Sequence, residues 1–209
     1  MARRYDRTTY YYEPYRYYVP YKNYSLYLIG ICIVVYFLQL IPHFTYYFAL
    51  SAATLASHPW TLVTHIFLHG SMGHLFFNML FLLFFGPALE QRVGSNRFLF
   101  IFLLCGILGG VGHILTSPSS SVIGASGALY GVLGVLAILE PDMIIFIYFI
   151  PMRITFAVLL LAAFDILMAR SGDMIAHTAH LSGLVGGILI GKYLKKEGVI
   201  KQRRGWRLQ

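Results

Sequence analysis

The sequence predicts an all-α membrane protein, a bundle of six transmembrane helices, from three observations. Of 209 residues, 58% are hydrophobic and only 11% charged, a balance foreign to soluble globular chains. Six apolar stretches are bounded by Gly, Pro or charged residues. The basic residues behind the net charge of +8 lie in the tails and short loops, outside the long apolar runs. That placement reads as membrane-surface anchoring and argues against a nucleic-acid partner.

Residues 1–23 form a basic, Tyr-rich leader (Tyr10 to Tyr12, Tyr17, Tyr18, Tyr21) without a hydrophobic core or an AxA-like site. It does not resemble a cleaved signal peptide and reads as a cytoplasmic tail carrying an interfacial aromatic belt. Residues 24–194 hold the spans. At about 1.5 Å of rise per residue, crossing about 30 Å of hydrocarbon takes roughly 20 apolar residues. Stretches 25–41 and 97–116 fit that length, and 74–88, 126–140, 152–168 and 174–191 are apolar as well. Residues 195–209 make a second basic tail suited to anionic lipid. Cys32 and Cys105 stand alone in apolar runs without metal-ligand spacing and read as small packing residues.

Orientation follows from Lys and Arg. Five precede the first span, Arg92 and Arg97 separate spans two and three, Arg153 follows span four, and seven occupy 192–209, with Arg170 the exception. Fifteen of the 16 fall on one side when both termini are cytoplasmic, so the expected location is the cell membrane, multi-pass. Loops 42–73 and 117–125, which have no Lys or Arg, are then external.

Polar side chains within the bilayer are costly and ask for a functional or packing reason. Gly124 and Gly127 flank Ser126 where an external loop turns into span four, and small neighbours let another backbone approach a hydroxyl. Such a motif also serves close helix packing. His180 heads a ridge of Gly183, Gly187 and Gly191 that Gly127 and Gly131 would match, bringing Ser126 to face His180. Alternatively His180 bonds a neighbouring carbonyl. His74 and Asn78, four residues apart, share a face of span two and offer two donors for an oxyanion, or for interhelical hydrogen bonds.

Depth links the three clusters. Spans two and four, read as about 15 residues or roughly 22 Å each, would stop about 8–10 Å short of the external surface, with His74 and Ser126 at the recessed ends. Span six, read as starting near Asp173, would bring His180 to a similar depth. Asp165, inside span five, reads as an interior hydrogen-bonding partner with no spacing that ties it to His180.

These residues resemble the rhomboid intramembrane proteases over roughly residues 58 to 192. The run His69-Gly-Ser-Met-Gly-His74-Leu-Phe-Phe-Asn78 is similar to that family's second-helix signature, Gly124-Ala-Ser126-Gly127 to its nucleophile motif, and Ala179-His180-Leu-Ser-Gly183 to its base motif. Glu90-Gln-Arg92-Val-Gly94 resembles its acidic-x-Arg turn. The resemblance implies a six-helix rhomboid-like bundle and a serine endopeptidase with Ser126 as nucleophile and His180 as general base. It further implies an oxyanion hole of His74, Asn78 and the Ser126 N–H, and Tyr130 packed on the His180 ring. Where the family often has Trp-Arg in the first external loop, Trp60 is followed by Thr61.

The expected chemistry is acyl transfer through the dyad, with no carboxylate, cofactor or metal required. The remaining histidines form no HExxH pattern. A continuous helix hides its carbonyls in its own hydrogen bonds, so the expected substrates are single-span membrane proteins that unwind near the outer surface. The rival readings are a non-catalytic client-binding protein of the same fold, which need keep neither Ser126 nor His180, and a solute transporter, for which paired broken helices are missing.

Overall fold

The computed structural model describes residues 22–147, 149–169 and 175–198. The leader through Tyr21, Arg170, Asp173 and the end of the C-terminal tail lie outside the described residues.

Helices dominate, because uninterrupted apolar sequence without water leaves the backbone to bond to itself. Helix α1 (Tyr24–Leu38) leads to a short α2 (Phe44–Phe48), strand β1 (Leu50–Ser51) and α3 (Thr61–Thr64). Then come α4 (Met72–Val93), α5 (Ser95–Thr116), strand β2 (Ser121–Val122) and α6 (Ser126–Leu139). A hairpin of β3 (Ile144–Ile147) and β4 (Ile150–Arg153) precedes α7 (Ile154–Met168), and α8 (His177–Lys196) follows. Helices α4 and α5 are long and apolar enough to cross a membrane; α1, α6 and α7 are shorter apolar helices. Broad apolar surfaces face outward, including Phe76, Phe77 and Phe84 on α4 and Leu159, Ile166 and Leu167 on α7. Surfaces of that extent need a partner less polar than water.

Helix α6 is the centre of the bundle, with nearly every residue buried, because Gly127, Gly131 and Gly134 let neighbouring backbones reach it. A Cβ added at Gly187 would run into the Gly131 carbonyl, and one at Gly109 on α5 would sit 3.2 Å from the Gly127 Cα and 2.9 Å from the Ala179 carbonyl oxygen. The expected glycine seam between spans four and six is therefore present, and α5 joins it.

Glu90 ties the opposite end of α4 to α1. Its carboxylate, fully buried, accepts from the backbone N–H groups of Tyr24 (2.8 Å) and Ser25 (3.0 Å), from Ser25 Oγ (2.9 Å) and from Ser95 Oγ (2.6 Å). It thus satisfies orphan donors in the first turn of α1, where negative charge is favoured. Arg92 Nε donates to Glu140 Oε1 at 2.9 Å, fastening α4 to the end of α6.

In the first loop, neutral hydrogen bonds do the bracing. Trp60 Nε1 donates to the Tyr47 carbonyl (2.9 Å), Thr64 Oγ1 to that of Phe48 (2.9 Å) and Thr61 Oγ1 to that of His58 (2.7 Å). Cys32 and Cys105 are free and fully buried, as their isolated positions imply.

Several boundaries differ from the sequence reading, among them span one, which ends at Leu38 rather than 41, and span six, which is helical from His177 to Lys196 rather than over 174–191. Span two is 22 residues, about 33 Å, rather than 15, since the polar first turn and the Glu90–Arg92 turn both stay helical. Span five, read as 152–168, begins at Ile154, because Met152 and Arg153 belong to β4 of the hairpin, whose turn includes Phe149 with φ of 67°.

Candidate active site

Three helices begin around one point. Ser126 is the first residue of α6, His180 lies one turn into α8, and His74 lies in the first turn of α4, where Ser71 Oγ caps the helix by accepting from the His74 N–H at 3.1 Å. The common level of these residues is thus the shared starting level of α4, α6 and α8. Span four is short as expected, with 14 residues in α6, but α4 has 22, so short length does not account for the level of His74; α8 begins at His177, and Asp173 lies outside the described residues.

The approach to Ser126 is fixed by two backbone ties. Strand β2 pairs antiparallel with β1, Leu50 opposite Val122, and the Gly124 N–H donates to the His65 carbonyl at 2.8 Å. Gly124 then turns at φ of 124°, a conformation L side chains rarely adopt. A Cβ there would stand 2.7 Å from His74 Cε1 and 2.9 Å from its Nε2, so the imidazole of His74 lies over the segment that delivers Ser126.

His180 Nε2 stands 2.9 Å from Ser126 Oγ. The Tyr130 ring, one turn below Ser126, stacks on the His180 imidazole with centroids 4.3 Å apart and planes 13° from parallel. Gly127 and Gly183 press α6 against α8 beside this pair, and side chains there would separate the helices.

His74 and Asn78 share a face as expected, and the Asn78 amide donates one hydrogen to the His74 carbonyl at 2.8 Å, which leaves its second N–H. The Gly70 N–H reaches His74 Nδ1 at 3.3 Å. His69 is buried in the first loop, its N–H donating to Gln39 Oε1 at 2.9 Å, and its ring sits edge-on to His74 with centroids 5.1 Å apart. Burial, reinforced by the neighbouring His74, pushes His69 down to about 4, so its ring is neutral over the physiological range.

One tie was absent from the sequence reading. Asp165, 1% exposed on α7, places Oδ1 3.0 Å from His180 Nδ1 and 2.5 Å from His177 Nδ1. Asp165 is the interior hydrogen-bonding partner that its place in an apolar span implied, and the structure adds that its partners are His180 and His177: the link crosses between helices, and separation along the chain carries no trace of it. Its signal was only an acid inside an apolar span. Asp165, His177 and His180 are also the one group among the described residues with donor atoms close enough, within 4.8 Å, to be considered for a metal ion.

A family model described as Rhomboid domain matches residues 56–197. YdcA of Bacillus subtilis (strain 168) is 38% identical over 133 residues, covering 63% of this chain and 65% of YdcA. The rhomboid protease GluP of the same organism is 36% identical over 129 residues, 61% of this chain and 24% of GluP. The rhomboid protease GlpG of Yersinia pestis (strain Pestoides F) is 31% identical over 134 residues, 63% of this chain and 46% of GlpG. The chain thus spans less than two thirds of the length of these curated relatives.

Proposed function

Because the chain belongs to the rhomboid family, we propose that it is an intramembrane serine endopeptidase that cuts single-span membrane proteins with a Ser126–His180 dyad. The observation that carries this reading is the 2.9 Å approach of His180 Nε2 to Ser126 Oγ in a bundle whose outer faces are apolar. On this reading α1, α4, α5, α6, α7 and α8 are six spans with both termini cytoplasmic, in keeping with the Lys and Arg distribution. The site then opens toward the external face, and the residues from Ser117 to Ser121 give water a polar approach.

The geometry supports acyl transfer through Ser126. His180 Nε2 accepts the Ser126 proton as Oγ attacks the substrate carbonyl carbon. Negative charge develops on the former carbonyl oxygen at the N-terminus of α6, where the Ser126 N–H has no acceptor within its own helix and the helix dipole is positive. His74 and the second N–H of Asn78 reinforce that donor from α4. His180 returns the proton to the leaving amine, and water, deprotonated by the same imidazole, releases the acyl group from Ser126. Gly124 and Gly127 leave room for the substrate backbone, and His69 buttresses His74. A substrate must expose its carbonyl, so a span with helix-weakening residues near the outer surface is cut faster than a polyleucine span.

The test is cleavage of a single-span substrate in liposomes by the purified chain and by Ser126→Ala and His180→Ala. Loss of cleavage in both variants, with no effect of chelators on the parent, supports the dyad. Binding of the substrate without any cleavage by the parent protein would turn the reading to a client-binding role.

A further inference from the structure

We propose that Asp165 is a positioning residue for His180: its carboxylate selects the imidazole tautomer that can act as a base, and His177 holds the carboxylate in place. This rests on the dyad reading above. Asp165 Oδ1 lies 3.0 Å from His180 Nδ1, on the opposite edge of the ring from Ser126, and the Asp165 side chain is almost wholly buried.

The tautomer follows by elimination. Tyr130 stacks against the His180 ring and restrains its plane, so the remaining freedom is which nitrogen carries the hydrogen. A bare Nδ1 would aim its lone pair at a carboxylate oxygen, a repulsive pairing. With the hydrogen on Nδ1, that nitrogen donates to Asp165 Oδ1 and Nε2 offers its lone pair to the Ser126 hydroxyl. During attack the Ser126 proton moves to Nε2, the Nδ1 hydrogen stays on the ring, and the carboxylate faces the resulting imidazolium without taking a proton.

His177 completes the arrangement. It sits one turn before His180 on α8, and its Nδ1 lies 2.5 Å from the same oxygen. Two donors from one helix on one oxygen fix the carboxylate orientation. A shared metal does not fit this spacing. At the observed separation the two atoms share a hydrogen, whereas two ligand atoms each 2.0–2.1 Å from a tetrahedral ion would stand about 3.3 Å apart.

A role confined to joining α7 to α8 would demand no particular tautomer, and this separates the two explanations. The experiment uses the full chain in detergent with 15N-labelled histidine, the His180 signals being assigned by their loss in His180→Gln. The expected result is a neutral His180 with its hydrogen on Nδ1. In Asp165→Asn the Nε2–H form should appear, and kcat should fall at least tenfold with KM changed less than twofold. Wild-type His180 carrying its hydrogen on Nε2 overturns the proposal, and so does a folded Asp165→Asn protein with wild-type kcat. Should Asp165→Asn fail to fold, the wild-type tautomer alone decides. Ser126→Ala assayed in parallel separates the two readings: cleavage that survives it removes the dyad, whereas loss of cleavage there beside an unaffected Asp165→Asn removes only the role of Asp165.

Discussion

Gly183 of α8 lies directly on the backbone of Gly127 of α6, with no space for a Cβ between them. Gly127 follows Ser126 and Gly183 stands three residues beyond His180, so this contact sets the distance between hydroxyl and imidazole. Gly183→Ala would drive a methyl group into the Gly127 carbonyl, an obstacle that is backbone and has no rotamer to yield. Overpacking of this kind costs roughly 3 kcal/mol, and activity should fall at least tenfold. Gly30→Ala, with nothing within 4 Å, should leave the thermal midpoint unchanged or raised. Thermal unfolding in detergent alongside substrate cleavage checks both.

Gly124 tests the delivery of Ser126. An alanine there meets a positive φ and the ring of His74 together. Displacing one oxyanion donor costs about 100-fold or more in kcat, so Gly124→Ala should lose kcat on that scale while the chain still inserts and folds. Retention of full activity would count against His74 as a donor.

Glu90 should matter for stability rather than chemistry. Glu90→Gln replaces one acceptor oxygen with a donor facing groups that are themselves donors, and leaving such groups unsatisfied costs about 2 kcal/mol. Denaturation in mixed micelles should show that loss, with kcat of the folded protein unchanged.

Acid stability depends on the first loop. Burial holds both His65 and His69 at about 4, below the ordinary histidine value of 6.5, so the unfolded chain binds more protons than the folded one between those values. Stability is therefore full above pH 6.5 and declines as pH falls toward 4, by up to about 3 kcal/mol for each histidine. Thermal midpoints measured from pH 8 to pH 4 should be flat and then fall, and His69→Gln should make the fall shallower. A midpoint independent of pH over that range would contradict the assignment.

Much of the site was legible because its parts are local. Ser126 between glycines, His180 at the head of a glycine ridge, and His74 with Asn78 one turn apart are each visible within a few residues, since helical periodicity turns spacing into a shared face. The bracing of the first loop without arginine was not legible, because the Trp60, Thr61 and Thr64 hydroxyl and indole donors reach carbonyls that any residue would supply. The length of α4 was misread for a related reason: polar residues at its two ends look like loop until Ser71 is seen capping one and Glu90 and Arg92 bonding across from the other.

By itself the sequence determined the apolar character of the chain, the order of its helices and the small residues along the seam between spans four and six, because these depend on composition and on the pitch of a helix. Only the tertiary structure decided that α4, α6 and α8 start at one level, that α5 closes on the same glycine seam, and that Asp165 meets the far side of His180. Those relations join atoms on different helices, and their distances are set by how closely the backbones pack, a quantity that no spacing along one chain encodes.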